Sequence, residues 1–349
     1  MKFIIKILLC CALFYSCQED IPLQPSKPEI KEIQPTQSGV WTVITIYGKN
    51  LGLPQDSSFV ILDSNIKILS KECLKWNNTY IRLKLPKLRF NGNIKVVNNK
   101  DTSNTLKINF NYLPEIHMIL VNAGIADIGS NNGWYDEKPA HRVNIPNNLY
   151  VSKYEVSQYL YSFVCDTNPS SEIAEKLPVN NIQWLDAIIF CNNLSKLFDY
   201  DTCYVFDKGN IIWDTNANGF RLPTEAEWEF FCKAGYEGDY NADESIENLA
   251  WFNKNSGYKI QPIGKKKPNR AGIYDLHGNV SEWCWDWYDE NYYKQSETIN
   301  PKGPKSGLKR VHRGGSFLDG FAKLRSSARH YDDGNYKNLG IRFVRNAKD

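Results

Sequence analysis

Short runs in which apolar and polar residues alternate fill the first third of the chain. Trp41-Thr42-Val43-Ile44-Thr45-Ile46-Tyr47 enters a turn with two glycines at Gly48 and Gly52, and Phe59–Leu62, Tyr80–Pro86, Gly92–Val97 and Thr105–Ile108 follow. Branched and aromatic residues bounded by Gly, Asn and Pro are strand signals, and their even spacing predicts a small β-sandwich over residues 28–113. Beyond Pro114 the pattern changes to long loops, short strands and helices. Met118–Ser130 predicts a strand pair around a glycine turn. Ser157 is placed to cap a helix carrying Tyr159, Tyr161 and Phe163, and Trp184–Leu194 has helical periodicity. The clearest helix start is Arg221-Leu222-Pro223-Thr224-Glu225-Ala226-Glu227-Trp228-Glu229. Thr224 caps it, three glutamates face the positive end of the dipole, and Trp228 and Phe231 point inward. Trp283, Trp285 and Trp287 alternate with polar residues as on a strand, and Gly314–Phe317 and Gly340–Phe343 are expected as two closing strands.

Composition sets the compartment and excludes some functions. At 349 residues the chain suits two domains, and 42% hydrophobic with 13% aromatic residues excludes a largely disordered one. Without Lys2 and Lys6 there remain 40 basic and 39 acidic residues (42 − 2 against 39), so nothing argues for nucleic acid. Lys265-Lys266-Lys267 reads as a solvated loop. Residues 1–17 form a leader: two lysines, an apolar stretch too short to span a bilayer, then Phe14-Tyr15-Ser16-Cys17. The small residue before cysteine resembles a bacterial lipobox, with Cys17 the lipidated residue. An ordinary signal peptide cut nearby is the alternative, disfavoured by the lack of an Ala-x-Ala site. Residues 18–27 are a tether whose Gln18-Glu19-Asp20 resembles the surface-export signal of Bacteroidota lipoproteins. The expected location is therefore the outer membrane, at the cell surface, with the membrane touched only through the lipid. Six cysteines lie past the anchor, an even number that permits disulfides in an exported protein.

Candidate chemistry gathers in Gly272-Ile273-Tyr274-Asp275-Leu276-His277-Gly278-Asn279-Val280-Ser281-Glu282. Asp275 and Glu282 flank the Gly278-Asn279 turn. Two carboxylates and the carbonyls between them make an all-oxygen set suited to calcium, although Asp275 capping the turn and Glu282 taking a surface partner fit the spacing as well. The five histidines, His117, His141, His277, His312 and His330, show no ligand spacing, and there is no Gly-x-Ser-x-Gly elbow or phosphate-binding glycine loop.

Six motifs in order carry a family resemblance. Asp136-Glu137-x-Pro139-x-His141, Lys153-x-Glu155-Val156, Arg221 to Glu229, Gly272 to Trp283, Arg313-Gly314-Gly315-Ser316 and Gly340-x-Arg342 resemble the sulfatase-modifying factor family, founded on formylglycine-generating enzymes, over residues 115–346. For residues 114–349 this implies an α+β, C-type-lectin-like fold with little regular secondary structure. Residues 28–113, through Ile-Tyr-Gly-Lys-Asn-Leu-Gly and the Trp76–Pro86 run, resemble an all-β immunoglobulin-like TIG domain. By the same resemblance Asp275, Gly278, Val280 and Glu282 form a structural calcium site, and a second would begin at Asn248 and Leu249.

The catalytic half of the resemblance is missing. Formylglycine-generating enzymes hold copper(I) on two cysteines after the Gly-Gly-Ser strand, whereas here those positions fall on Asp319 and near Leu324, and Cys284 is the last cysteine. Copper is therefore not expected. Arg313, Ser316, Asp319, Arg325, Arg329 and His330 are expected to line the family's cleft, with Trp283 and Trp285 as stacking surfaces, while Arg221 and Arg342 are expected to pair with internal carboxylates. The reading is a non-catalytic, calcium-stabilised surface module for a peptide, glycan or envelope protein. The alternative is a diverged oxidase or protein-maturation enzyme.

Overall fold

The computed structural model describes residues 27–36, 43–63, 66–85, 90–110, 114–241, 244–331, 334 and 336–347. Cys17, most of the tether and Trp41-Thr42 lie outside these residues. The chain divides into two compact units, one containing Val43–Phe110 and the other Asn111–Asp349.

In the first unit β1 (Glu29–Thr36), β2 (Val43–Lys49), β3 (Phe59–Leu62), β4 (Ile66–Leu69), β5 (Lys75–Trp76), β6 (Tyr80–Lys84), β7 (Phe90–Asn98), β8 (Asp101–Thr102) and β9 (Leu106–Phe110) form two sheets. One has the order β1-β2-β6-β5; the other is β4-β3-β7-β8, with β9 also on β7. Ile44, Ile46, Val60, Leu62, Ile81 and Ile94 meet in one fully buried core, as the inward faces of two sheets must. Trp76 closes it and donates its indole N–H to the Leu51 carbonyl at 3.0 Å, satisfying the one polar group the ring brings inside.

The second unit adds β10 (Met118–Val121), β11 (Gly124–Ile128), β12 (His141–Ile145), β13 (Leu149–Ser152), α1 (Gln158–Cys165), α2 (Trp184–Leu197), β14 (Tyr204–Asp207), β15 (Asn210–Trp213) and α3 (Glu225–Lys233). After them come β16 (Ser281–Trp287), β17 (Arg310–Arg313), β18 (His330–Tyr331), β19 (Leu339–Gly340) and β20 (Val344–Asn346). Three expected strand placements are corrected. β10 and β11 exist, but β10 pairs with β13 and β11 with β12, not with each other. The Gly314–Phe317 strand is displaced to Arg310–Arg313, because Gly314 and Gly315 take positive φ and end the ladder. Likewise Gly340–Phe343 is not one strand: Gly340 ends β19, and residues 341–343 link it to β20.

The caps read from sequence are present. Ser157 Oγ accepts from Leu160 N–H at 3.1 Å. Thr224 and Glu227 form a reciprocal capping box at 3.1 and 2.9 Å. No disulfide forms among the six cysteines described, and no described helix is long and apolar enough to cross a membrane.

β16 is the partition of this unit. It lies between β17 and β19, and its alternating side chains feed two separate cores. Trp283 joins the core built from α1, α2 and Phe343, and Trp285 packs against it. Cys284 joins the core of Trp228, Phe231 and Val311 around α3. Arg310 and His312 of β17 accordingly stand opposite Trp287 and Trp283, and Arg313 stands opposite Glu282.

Candidate functional site

The three glutamates at the start of α3 are buried. Residues four apart share a helix face and those two apart do not. Glu225 and Glu229 therefore both reach Arg313, at 3.2 and 2.5 Å. Glu225 also receives two 2.8 Å bonds from Arg329. Glu227 turns away to hold Arg221, at 2.6 and 2.8 Å. Burial alone would raise the Glu229 carboxyl, yet Lys233 and Arg313 hold it down to about 2. Arg313 is 0% and Arg329 3% exposed. Neither lines a cleft: each is the cationic member of a buried network that ties α3 to β17 and to the 325–329 loop.

Around the two expected copper positions, Asp319 accepts from Ser316 Oγ at 2.6 Å and pairs with Lys323 at 3.0 Å. Leu324 is fully buried with Ala250 and Phe252. Its carbonyl accepts from His277 Nδ1 at 2.6 Å, while His277 Nε2 accepts from Asn241 N–H. The backbone donor fixes the tautomer, and burial pushes this histidine down to about 4. Arg325 makes a bidentate pair with buried Glu137, at 2.8 and 2.5 Å, and lies over Trp134. His330 stacks on His312 at 5.5 Å and meets Trp134 edge-on. His312 belongs to β17, and its buried Nδ1 has no partner. Ser316 is buried. Trp283 is corrected from a stacking surface to a core residue: it is fully buried and donates to the Ile182 carbonyl at 2.9 Å. Trp285 is half-buried, stacked on Tyr204 at 5.2 Å.

At the Gly278-Asn279 turn, Asp275 Oδ2 accepts from Gly264 N–H at 2.6 Å, while Oδ1 is buried without a partner. Burial, countered by that bond and by Arg342 but reinforced by Glu282, pushes the Asp275 carboxyl up to about 6. Glu155 joins the same turn, accepting from Val280 N–H at 2.9 Å and Asn279 Nδ2 at 2.6 Å. Its carboxyl is pushed up by burial, then by Asp275 and Glu282. Gly278 has φ 89° and the Trp251 carbonyl 2.1 Å from where a Cβ would stand, so no other residue fits. Glu282 is no surface residue: Arg342 contacts its oxygens at 2.7–2.9 Å and Trp228 donates at 2.6 Å.

Residues 109–347 match the Sulfatase-modifying factor enzyme 1-like domain. The chain belongs to this family. Residues 28–112 match the IPT/TIG domain. Over 236 residues the chain is 31% identical to the Chaperone protein LppX of Paenibacillus barcinonensis, covering 57% of this chain and 80% of that protein. It is 36% identical over 149 residues to the Formylglycine-generating enzyme of Streptomyces coelicolor, covering 37% of this chain and 48% of the enzyme, so it spans about half of that relative. Among solved structures, Treponema denticola variable protein 1 superposes with a TM-score of 0.60 at 32% identity, covering 66% of this chain and 95% of that one.

The metals implied by the sulfatase-modifying factor family can be tested against these donors. Copper(I) wants soft thiolates, and an ion-paired carboxylate with a buried leucine does not fit. For a hard cation, Asp275 fits, because its Oδ1 is a buried oxygen with no hydrogen-bond partner. Glu282 does not, since Arg342 and Trp228 engage both its oxygens. At the second position Asn248 donates its amide to Glu244 and accepts Lys267 N–H on its carbonyl, and Leu249 is buried. Lys266, expected in a solvated loop, reaches the Glu247 carbonyl and lies 3.8 Å over Trp251. With the Lys267 ammonium on Glu244 at 2.6 Å, two ammonium groups flank that position. Sequence reasoning left Glu155 out of the site although it stands in a quoted motif; an acidic residue within a strand-to-helix apolar run was the signal.

Proposed function

We propose that this chain is a non-catalytic binding module of the sulfatase-modifying factor fold, carried on an exported lipoprotein and stabilised by calcium at the Asp275 turn. The observation that carries the reading is at the copper positions, where Asp319 is neutralised by Lys323 and Leu324 is packed in a core. No thiolate is available there for one-electron oxygen chemistry. What that face offers instead is exposed rings and a rigid base: Trp134, Tyr135, Phe321 and Tyr331 are 38–66% exposed, over loops held by the Arg325–Glu137 and Arg329–Glu225 pairs. A surface of this kind recognises a peptide, a glycan or an envelope protein. Asp275, with the Gly278 and Val280 carbonyls, would hold the calcium, whose charge would offset the acidic surplus of Glu155, Asp275 and Glu282 over Arg342.

The deciding experiment supplies the purified protein with copper(I) and a cysteine-containing sulfatase-type peptide and measures metal content by mass spectrometry. Calcium retention with no aldehyde product is the expected result; stoichiometric tightly held copper or aldehyde formation would overturn the reading. Lipidation is checked separately, by incorporation of a labelled fatty acid that is lost in Cys17→Ala.

A further inference from the structure

Arg310 is a buried cation without an anion. It is 9% exposed, yet no carboxylate of the described residues makes a salt bridge to it. Its guanidinium carbon lies 3.4 Å from the Trp287 ring centre and 3.6 Å from that of Trp184, a sandwich between two indoles. Nη1 donates to the Trp285 carbonyl at 2.5 Å. Nε is buried with no partner. Asp286 is the nearest acid felt by Arg310, but it serves the Glu225 N–H, and burial followed by Glu225 keeps its own carboxyl raised. Burial accordingly lowers Arg310 to about 9.

The surroundings repeat this imbalance. Trp184, Trp213, Trp285 and Trp287 are all half-buried. Trp213 meets Trp285 edge-on at 5.4 Å, and Lys302 lies 5.0 Å over Trp213. Only Trp184 uses its indole N–H within the protein, on the Cys284 carbonyl. The surface therefore combines flat π faces, indole donors and two cationic heads. A guanidinium fork matches a carboxylate, and aromatic faces match the C–H faces of a sugar ring.

We propose that the Arg310–tryptophan cluster is a binding site for an acidic saccharide, one carrying a carboxylate on a pyranose ring. The carboxylate pairs with the Arg310 edge and Lys302, and the ring lies against the indoles. This deepens the reading of the chain as a binding module by naming a ligand class, and it rests on that reading; its failure leaves the metal and turnover tests above untouched.

The test titrates the full chain with a galacturonic acid trimer and with its methyl ester, following intrinsic tryptophan fluorescence. The acid is expected to bind saturably and at least about tenfold more tightly than the ester, with the gap shrinking as salt rises. Arg310→Gln should abolish the gap. Lys302→Gln, a surface change that leaves the core intact, should narrow it, keeping the proposal open to refutation if the Arg310 variant fails to fold. Equal affinity for acid and ester, no binding of either, or an unchanged gap in Lys302→Gln with the fold intact would overturn the proposal.

Discussion

Arg310 and Arg313 stand three residues apart on β17 and are both buried, but they face opposite cores and live in opposite electrostatic worlds. Arg313 is enclosed by Glu225 and Glu229 and by the Ser326 and Ser327 carbonyls. Arg310 has two indoles and one carbonyl. In the first arrangement two carboxylates neutralise the charge and fasten α3 to the sheet, although Nε is buried without a partner just as it is in Arg310. The second has no carboxylate, and that difference is the ground on which a recognition site is proposed there.

The sharpest way to break this contrast is to delete each cation. Arg313→Met leaves two buried glutamates facing each other and should cost about 3–5 kcal/mol in urea unfolding, with Tm falling accordingly. Arg310→Met strands no salt-bridged carboxylate; the loss is the cation–π contact and the hydrogen bond to the Trp285 carbonyl, about 2–3 kcal/mol together, and a loss as large as that of Arg313→Met would mean that Arg310 is purely structural.

Acid tests the Arg313 side, through Glu229, and the buried His277 without mutation. Glu229 has its carboxyl depressed from 4.5 to about 2, so its contribution is complete above 4.5 and disappears as pH falls toward 2. His277, lowered from 6.5 to about 4, contributes fully above 6.5 and loses its contribution between 6.5 and 4, because the unfolded chain takes up the proton first. Thermal melts should thus show two successive acid losses, the upper one missing in His277→Gln. The smallest effect is expected from Thr224→Ala, about 1 kcal/mol, which loosens the α3 start that presents Glu225 and Glu229 and leaves the Arg310 surface unchanged.

Much of the frame was legible because its causes are local. Ser157 and Thr224 sit next to the amides they cap, and Trp228 and Phe231 follow helical spacing. The lack of cysteine after Cys284 was legible too, since a missing thiol needs no geometry. Side-chain assignments to the cleft were less so. Arg313, Arg329 and Trp283 look like exposed recognition residues in the chain, but their partners lie 84 to 104 positions away. The same distance hid Glu282, whose neighbours in sequence suggest a metal ligand while Arg342, 60 residues on, claims both its oxygens.

By itself, then, the sequence determined two domains, their strand and helix starts, and the loss of soft metal ligands, all consequences of residue type and short-range spacing. Only the tertiary structure decided which charges are neutralised. That depends on which face of β16 and β17 each side chain occupies and on what the fold brings opposite it, so Arg313 became a fastening and Arg310 was left with an edge to offer.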